Sequence, residues 1–180
     1  MEFSVDKAIE VLQATPLTLH ALLRNLSDEW IQDPKSKLEN TGWEPFDVVG
    51  HLIHGDQTDW IPRARIILEQ GENRTFVPFD RFAQLELSKG KSLGDLLSEF
   101  QQLRSESITT LRAWSLTKEH LDLEGVHPEL GVVTFRQLLA TWVVHDLNHI
   151  RQIVTAMATK YGGQVGPWKE YLSVLKSSKE

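Results

Sequence analysis

Residues 134–163, "TFRQLLATWVVHDLNHIRQIVTAMATKYGG", spell out one amphipathic helix together with both of its ends. Thr134 and Gln137 have the spacing of a capping box, and Gly162-Gly163 supplies a C-terminal stop. Between them Phe135, Leu138, Trp142 and positions 145, 149, 152 and 156 recur at steps of three and four, as the inward stripe of a bundle helix does. Two of those inward positions are histidines, His145 and His149.

Three more helical patterns precede this one. The first starts at Ser4 and carries Val5, Ala8, Ile9, Leu12, Leu19, Leu22, Leu23 and Leu26 on one side. Thr15-Pro16 interrupts it with a residue that has no N–H, which predicts a kink or a restart with Thr15 as N-cap. The second opens at Pro45, flanked by Glu44 and Asp47 at the positive end of the dipole, and runs through Phe46, Val49, Ile53, Trp60, Ala64 and Ile67 to a stop at Gly71. The third opens with Ser92-x-x-Asp95 and follows Leu93, Leu96, Leu97, Phe100, Leu103, Leu111 and Trp114. Segment 32–42 reads as a loop, and segment 72–91 as an ordered loop that covers something. Val132-Val133 and Leu121-x-Leu123 have the composition of a minimal hairpin, and a short helix is expected around 167–176. Four amphipathic helices with one apolar stripe each predict an all-α four-helix bundle, with residues 1–180 as a single domain.

Composition narrows the function. A net charge of −6 with no long Lys/Arg run gives no footprint for nucleic acid. Zero cysteines exclude disulfides, thiolate ligands and a cysteine nucleophile, so a metal here would sit on nitrogen or oxygen. With no basic-then-apolar leader and no long apolar run, no membrane partner is expected and the location expected is cytoplasmic.

On a helix, His145 and His149 bring their Cβ atoms to roughly 5–6 Å on one face, where two imidazoles can share an ion. Two buried histidines with ordinary hydrogen bonds fit the same pattern, and a third ligand decides between them. The second helix offers His51 and His54. His51 lies among apolar positions beside Gly50 and Gly55, glycines that in a helix interior point to close approach or to a space kept open. His54 shares a more polar line with Asp47, Gly50 and Thr58, which directs it to a cleft mouth or to solvent, with a role in positioning a ligand or contacting substrate. His51 is therefore the third ligand chosen. Three histidines from two helices leave coordination positions open, as catalytic sites do. Asp146 stands where a zincin protease needs glutamate, which excludes that class. Gln152 continues the histidine stripe and can bond the second nitrogen of a ligand histidine or reach substrate. Asp146, Asn148 and Arg151 read as surface or interhelical contacts, and His20, His120 and His127 as surface or loop residues. Trp60, Trp114 and Trp142 belong to the core, while Trp43 suits the bundle end.

"GWEPFDVVGHLIHGDQTDW" (42–60) followed by "GVVTFRQLLATWVVHDLNHIRQI" (131–153) resembles the DinB/YfiT-like superfamily. The resemblance implies a bundle in up-down-down-up order, a divalent metal on His51, His145 and His149, and a homodimer. It also implies chemistry on small molecules: relatives include S-transferases and isomerases that use bacillithiol, mycothiol or glutathione. A chain without cysteine would borrow its sulfur from such a low-molecular-weight thiol. The leading expectation is a thiol-dependent S-transferase acting on small electrophiles. The alternatives are a metal-dependent hydrolase, a non-catalytic metal- or ligand-binding stress protein, and a helical interaction protein with no metal. Imidazole donors suit zinc, nickel, copper and iron, with zinc or nickel taken first. The net charge does not favour an anionic thiol, although an Arg63/Arg65 patch would.

Overall fold

The computed structural model describes residues 1–32 and 42–176. Helix α1 (Val5–Leu23) is capped by Ser4, whose hydroxyl accepts from the Lys7 amide at 3.3 Å. It runs unbroken through Pro16, so the expected restart does not occur; Thr15 is mid-helix and donates to the Val11 carbonyl at 3.1 Å. After the short α2 (Asp28–Ile31), the loop expected at 32–42 falls outside the described residues except for its two ends. Helix α3 (Pro45–Thr58) has the anticipated start, with Glu44 as N-cap and the Asp47 carboxylate accepting from the Glu44 amide at 3.1 Å.

The apolar periodicity continues to Gly71, whereas the chain breaks at Asp59 and resumes as α4 (Trp60–Glu69). Pro62 is the reason: it has no N–H for the Thr58 carbonyl one turn back. The stop is Gln70 in a left-handed conformation, not Gly71. Helix α5 (Ala83–Leu87), unseen in the sequence, lies within the covering segment. Helix α6 (Leu93–Ala113) begins with the Ser92/Asp95 capping box. Then come α7 (Lys118–Leu121), a hairpin of β1 (Glu124–His127) and β2 (Gly131–Thr134), and α8 (Phe135–Lys160). The hairpin pairs Gly125 with Val133 and Val126 with Val132, so its first strand lies three residues beyond Leu121-x-Leu123. The C-terminal helix takes the form of two 3₁₀ turns, Gly166–Tyr171 and Ser173–Leu175.

Helices α1 and α3 each pack against α6 and α8. One core cluster joins Leu19, Leu23, Val48, Val49, Leu96, Leu97 and Ile153; the other joins Ile9, Leu12, Ala64, Ile67, Ile108, Leu111 and Leu138. Residue numbers fall from the first cluster to the second along α1 and α8 and rise along α3–α4 and α6. The order is therefore up-down-down-up. Among the described residues no helix is long and apolar enough to cross a membrane.

At the centre of the bundle Arg104 of α6 is buried with Asp56 of α3 and Asp146 of α8. A guanidinium has five N–H donors, and here each has an acceptor. Nε and Nη2 meet Asp56 at 2.8 and 3.0 Å, Nη2 also meets Asp146 at 3.1 Å, and Nη1 meets the second Asp146 oxygen and the Leu12 carbonyl, the latter at 3.0 Å. Leu12 is four residues before Pro16, so its carbonyl is the one that proline cannot engage. Phe100 and Trp142 rings cover the guanidinium at 4.9 and 5.1 Å. Burial opposes the Arg104 charge, yet the two carboxylates override it and raise its pKa. Burial pushes the Asp56 pKa up to about 6, against the pull of Arg104 and with the repulsion of Asp146.

Removing one member of such a cluster strands buried charge at a cost of about 3–5 kcal/mol, whereas partly exposed ion pairs contribute up to about 1 kcal/mol. Arg104→Ala is expected to lose the former in urea denaturation, and Lys91→Ala, which breaks the partly exposed pair with Glu99, no more than the latter. Equal losses would contradict this account.

Candidate metal centre

Helices α3 and α8 run antiparallel and bring His51 opposite His145 and His149. The Nε2 atoms of His51 and His149 each lie 3.1 Å from His145 Nε2. All three ligand atoms fall within 4.8 Å of one another. A tetrahedral ion with M–N bonds of about 2.0–2.1 Å holds its nitrogens about 3.3–3.4 Å apart, close to this spacing. A neutral imidazole has one N–H and one lone pair, so His145 Nε2 can make a hydrogen bond with only one of its two neighbours. A cation between them accepts all three lone pairs.

The rings are held in place mainly by other rings. His51 lies 4.9 Å from Trp43 and 5.5 Å from Phe79, and His145 meets the Trp60 indole edge-on at 5.0 Å. Trp60 in turn stacks on Trp142 at 5.5 Å. Gln152 Oε1 lies 2.8 Å from His149 Nδ1, which places the proton on Nδ1 and turns the Nε2 lone pair to the centre. The Nδ1 atoms of His51 and His145 have no hydrogen-bond partner among the described residues.

Burial, reinforced by the neighbouring charges of His149, His54 and Arg81, lowers the His51 pKa to about 3. Burial, with His149, His51 and Arg104, takes His145 to about 2. Burial also lowers His149, partly offset by the Gln152 bond and by Asp146. At neutral pH the three imidazoles are uncharged, the form in which histidine binds metal.

The two glycines of α3 act differently. A Cβ on Gly50 would sit 2.5 Å from Ser88 Oγ, so glycine permits the close approach of the segment after α5. On Gly55 it would meet Trp60 Nε1 at 3.2 Å and crowd the indole beside His145.

The histidines open onto a cavity of about 740 Å³. Trp43, Trp60, Phe76 and Phe79 wall it, and its polar lining includes Asp59, Arg63, Arg81 and His127. Burial raises the Asp59 pKa to about 6, against the adjacent Arg63. His54 is buried beside Phe79 at 4.9 Å and outside the histidine cluster, so its expected place at a cleft mouth or in solvent is corrected. The segment 72–91, read as a cover, closes over it. Asp146 turns away from the histidines to Arg104. Arg65 is exposed and Arg63 lines the cavity, so the two do not form one patch. Asp59, Phe76, Phe79, Arg81 and His127 were not singled out for the site from the sequence; the helix break that Pro62 imposes was the available signal for Asp59.

A family model described as the DinB superfamily matches residues 12–153. The chain belongs to the DinB superfamily. Among solved structures this DinB-superfamily chain is similar to YfiT from Bacillus subtilis, described as "a probable metal-dependent hydrolase with an unusual four-helix bundle topology". The match has a TM-score of 0.72 and 26% identity, and covers 89% of this chain and 91% of YfiT. No curated protein matches.

Untagged protein titrated with Zn²⁺ in a calorimeter is expected to bind one ion per chain. Gln152→Leu, which frees the His149 ring, should weaken binding about 10–100-fold. Unchanged affinity in that variant would contradict the assigned tautomer.

Proposed function

We propose that this chain is a divalent-metal-dependent enzyme in which His51, His145 and His149 hold the ion. The reaction proposed is conjugation of a whole low-molecular-weight thiol to a small electrophile, with zinc or nickel as the metal: the S–H proton passes to solvent, an S–C bond forms and the electrophile's leaving group departs. The observation that carries the reading is the convergence of three uncharged imidazoles on the wall of a cavity large enough for small molecules. When bound, the ion lowers the pKa of a thiol or water and supplies a nucleophile at neutral pH. The chain has no cysteine, so the sulfur comes from a cosubstrate. Trp43, Trp60 and Phe79 orient the histidine rings and keep bulk water from the reacting groups. Asp59 lines the cavity beside Arg63, and burial raises its pKa to about 6. Hydrolysis is the second reading, favoured by the likeness to YfiT.

The test is a turnover assay with zinc- and nickel-loaded protein. Glutathione, cysteine or another thiol is paired with 1-chloro-2,4-dinitrobenzene, and p-nitrophenyl acetate is assayed without thiol. Metal-dependent conjugation that falls at least about 100-fold in His145→Ala supports transfer. Ester hydrolysis without conjugation supports the second reading, and no turnover of either contradicts both.

We also propose a homodimer in the cytoplasm. Val144, Leu147 and Val154 form an exposed apolar stripe on the outer face of α8, which a second copy would cover. Sedimentation should give a dimer for the native chain and a monomer for Leu147→Lys; a native monomer would overturn this.

A further inference from the structure

The wall of the cavity built by Arg63, Phe76 and His127 has unused hydrogen-bond donors of its own. Arg63 and Arg104 are both buried arginines, yet they differ in what satisfies them. Arg104 has an acceptor for each N–H. Arg63 has the Asp59 carboxylate at Nε and a long 3.5 Å contact from Nη2 to the Val77 carbonyl, and its guanidinium lies 5.2 Å over the Phe76 ring. Among the described residues no acceptor meets its Nη1. Arg63 lines the cavity.

His127 also packs on Phe76, edge-on at 6.4 Å, and lines the same cavity. Its Nδ1 accepts from the Glu129 and Leu130 amides at 3.1 and 3.2 Å, so the ring proton is on Nε2. That Nε2–H has no acceptor among the described residues. Burial first, and the charge of Arg63 second, lower the His127 pKa and keep it a neutral donor. Arg81 adds an exposed cation at the rim, close enough to His51 to depress its pKa.

We propose that Arg63 and His127 form a subsite for the carboxylate of a small-molecule ligand whose apolar body lies between the aromatic walls and whose far end reaches the three histidines. A guanidinium edge and an imidazole N–H match the planar, singly charged carboxylate. Asp59 already offsets one positive charge beside Arg63, which leaves too little for a dianionic phosphate. The indole and phenyl rings of Trp43, Trp60, Phe76 and Phe79 suit an aromatic or aliphatic linker. The inference rests on the reading of this cavity as the reaction site and specifies the substrate class for it.

The test compares 3-phenylpropanoate, 3-phenylpropanamide and phenyl phosphate by calorimetry against metal-free and zinc-loaded protein. The carboxylate should bind at least about 10-fold tighter than the amide in both forms. The Asp59→Asn/Arg63→Gln double variant, which removes both members of the ion pair, should abolish that ratio while circular dichroism stays native. His127→Asn, whose Oδ1 can still accept from the turn amides, should reduce it. Three results would overturn the subsite: no preference for carboxylate over amide, a preference that appears only with zinc and survives in the double variant, or tighter binding of phenyl phosphate than of the carboxylate. A preference present in protein that fails to bind zinc supports the subsite and contradicts the metal reading.

Discussion

The buried contact of Arg104 with Asp56 and Asp146 ties the bundle together, because it takes one group from each of three helices and a carbonyl from the fourth. Compared with apolar residues of similar volume, a buried ion cluster adds little net stability. Its effect is geometric: all five donors are satisfied in only one alignment of the helices. Asp146 follows His145 directly, and Asp56 lies about a turn and a half beyond His51. Fixing the carboxylates against one guanidinium therefore fixes the helices that carry the histidines. A slip of one residue would part the Nε2 atoms. Pro16 contributes from outside by leaving the Leu12 carbonyl for Arg104.

The bundle was legible because its signals are local. Capping boxes at Ser92 and Thr134 and the three-and-four spacing along α8 need only neighbouring residues to be read, and both behave in the structure as that spacing predicts. The inward placement of His145 and His149 followed from the same periodicity. Arg104 was not legible: "QQLRSES" reads as a polar helix face, and its acceptors come from three other helices. The helix through Pro16 escaped for the same reason, since the carbonyl that proline leaves free finds its donor on a distant segment. His54 was misplaced because its polar line on α3 says nothing of Phe79, which the segment 72–91 lays beside it. The pocket side of His127 depends on a hairpin whose register was displaced in the sequence reading.

The cavity has two chemically distinct ends. One offers uncharged nitrogen lone pairs, kept neutral by burial and by the aromatic rings around them. The other offers guanidinium and imidazole N–H donors around Phe76. Burial removes charge from the histidines, so the two ends differ in what they offer a ligand. A ligand spanning them would meet the ion proposed at the histidines and the donors of Arg63 and His127 at separate points, which would orient it before any reaction.

The most direct test of the metal assignment is anomalous diffraction at the zinc edge from crystals grown with Zn²⁺. A single strong peak is expected about 2.0–2.1 Å from Nε2 of His51, His145 and His149. A peak bound through Nδ1, a peak elsewhere, or no peak between the three rings would contradict it.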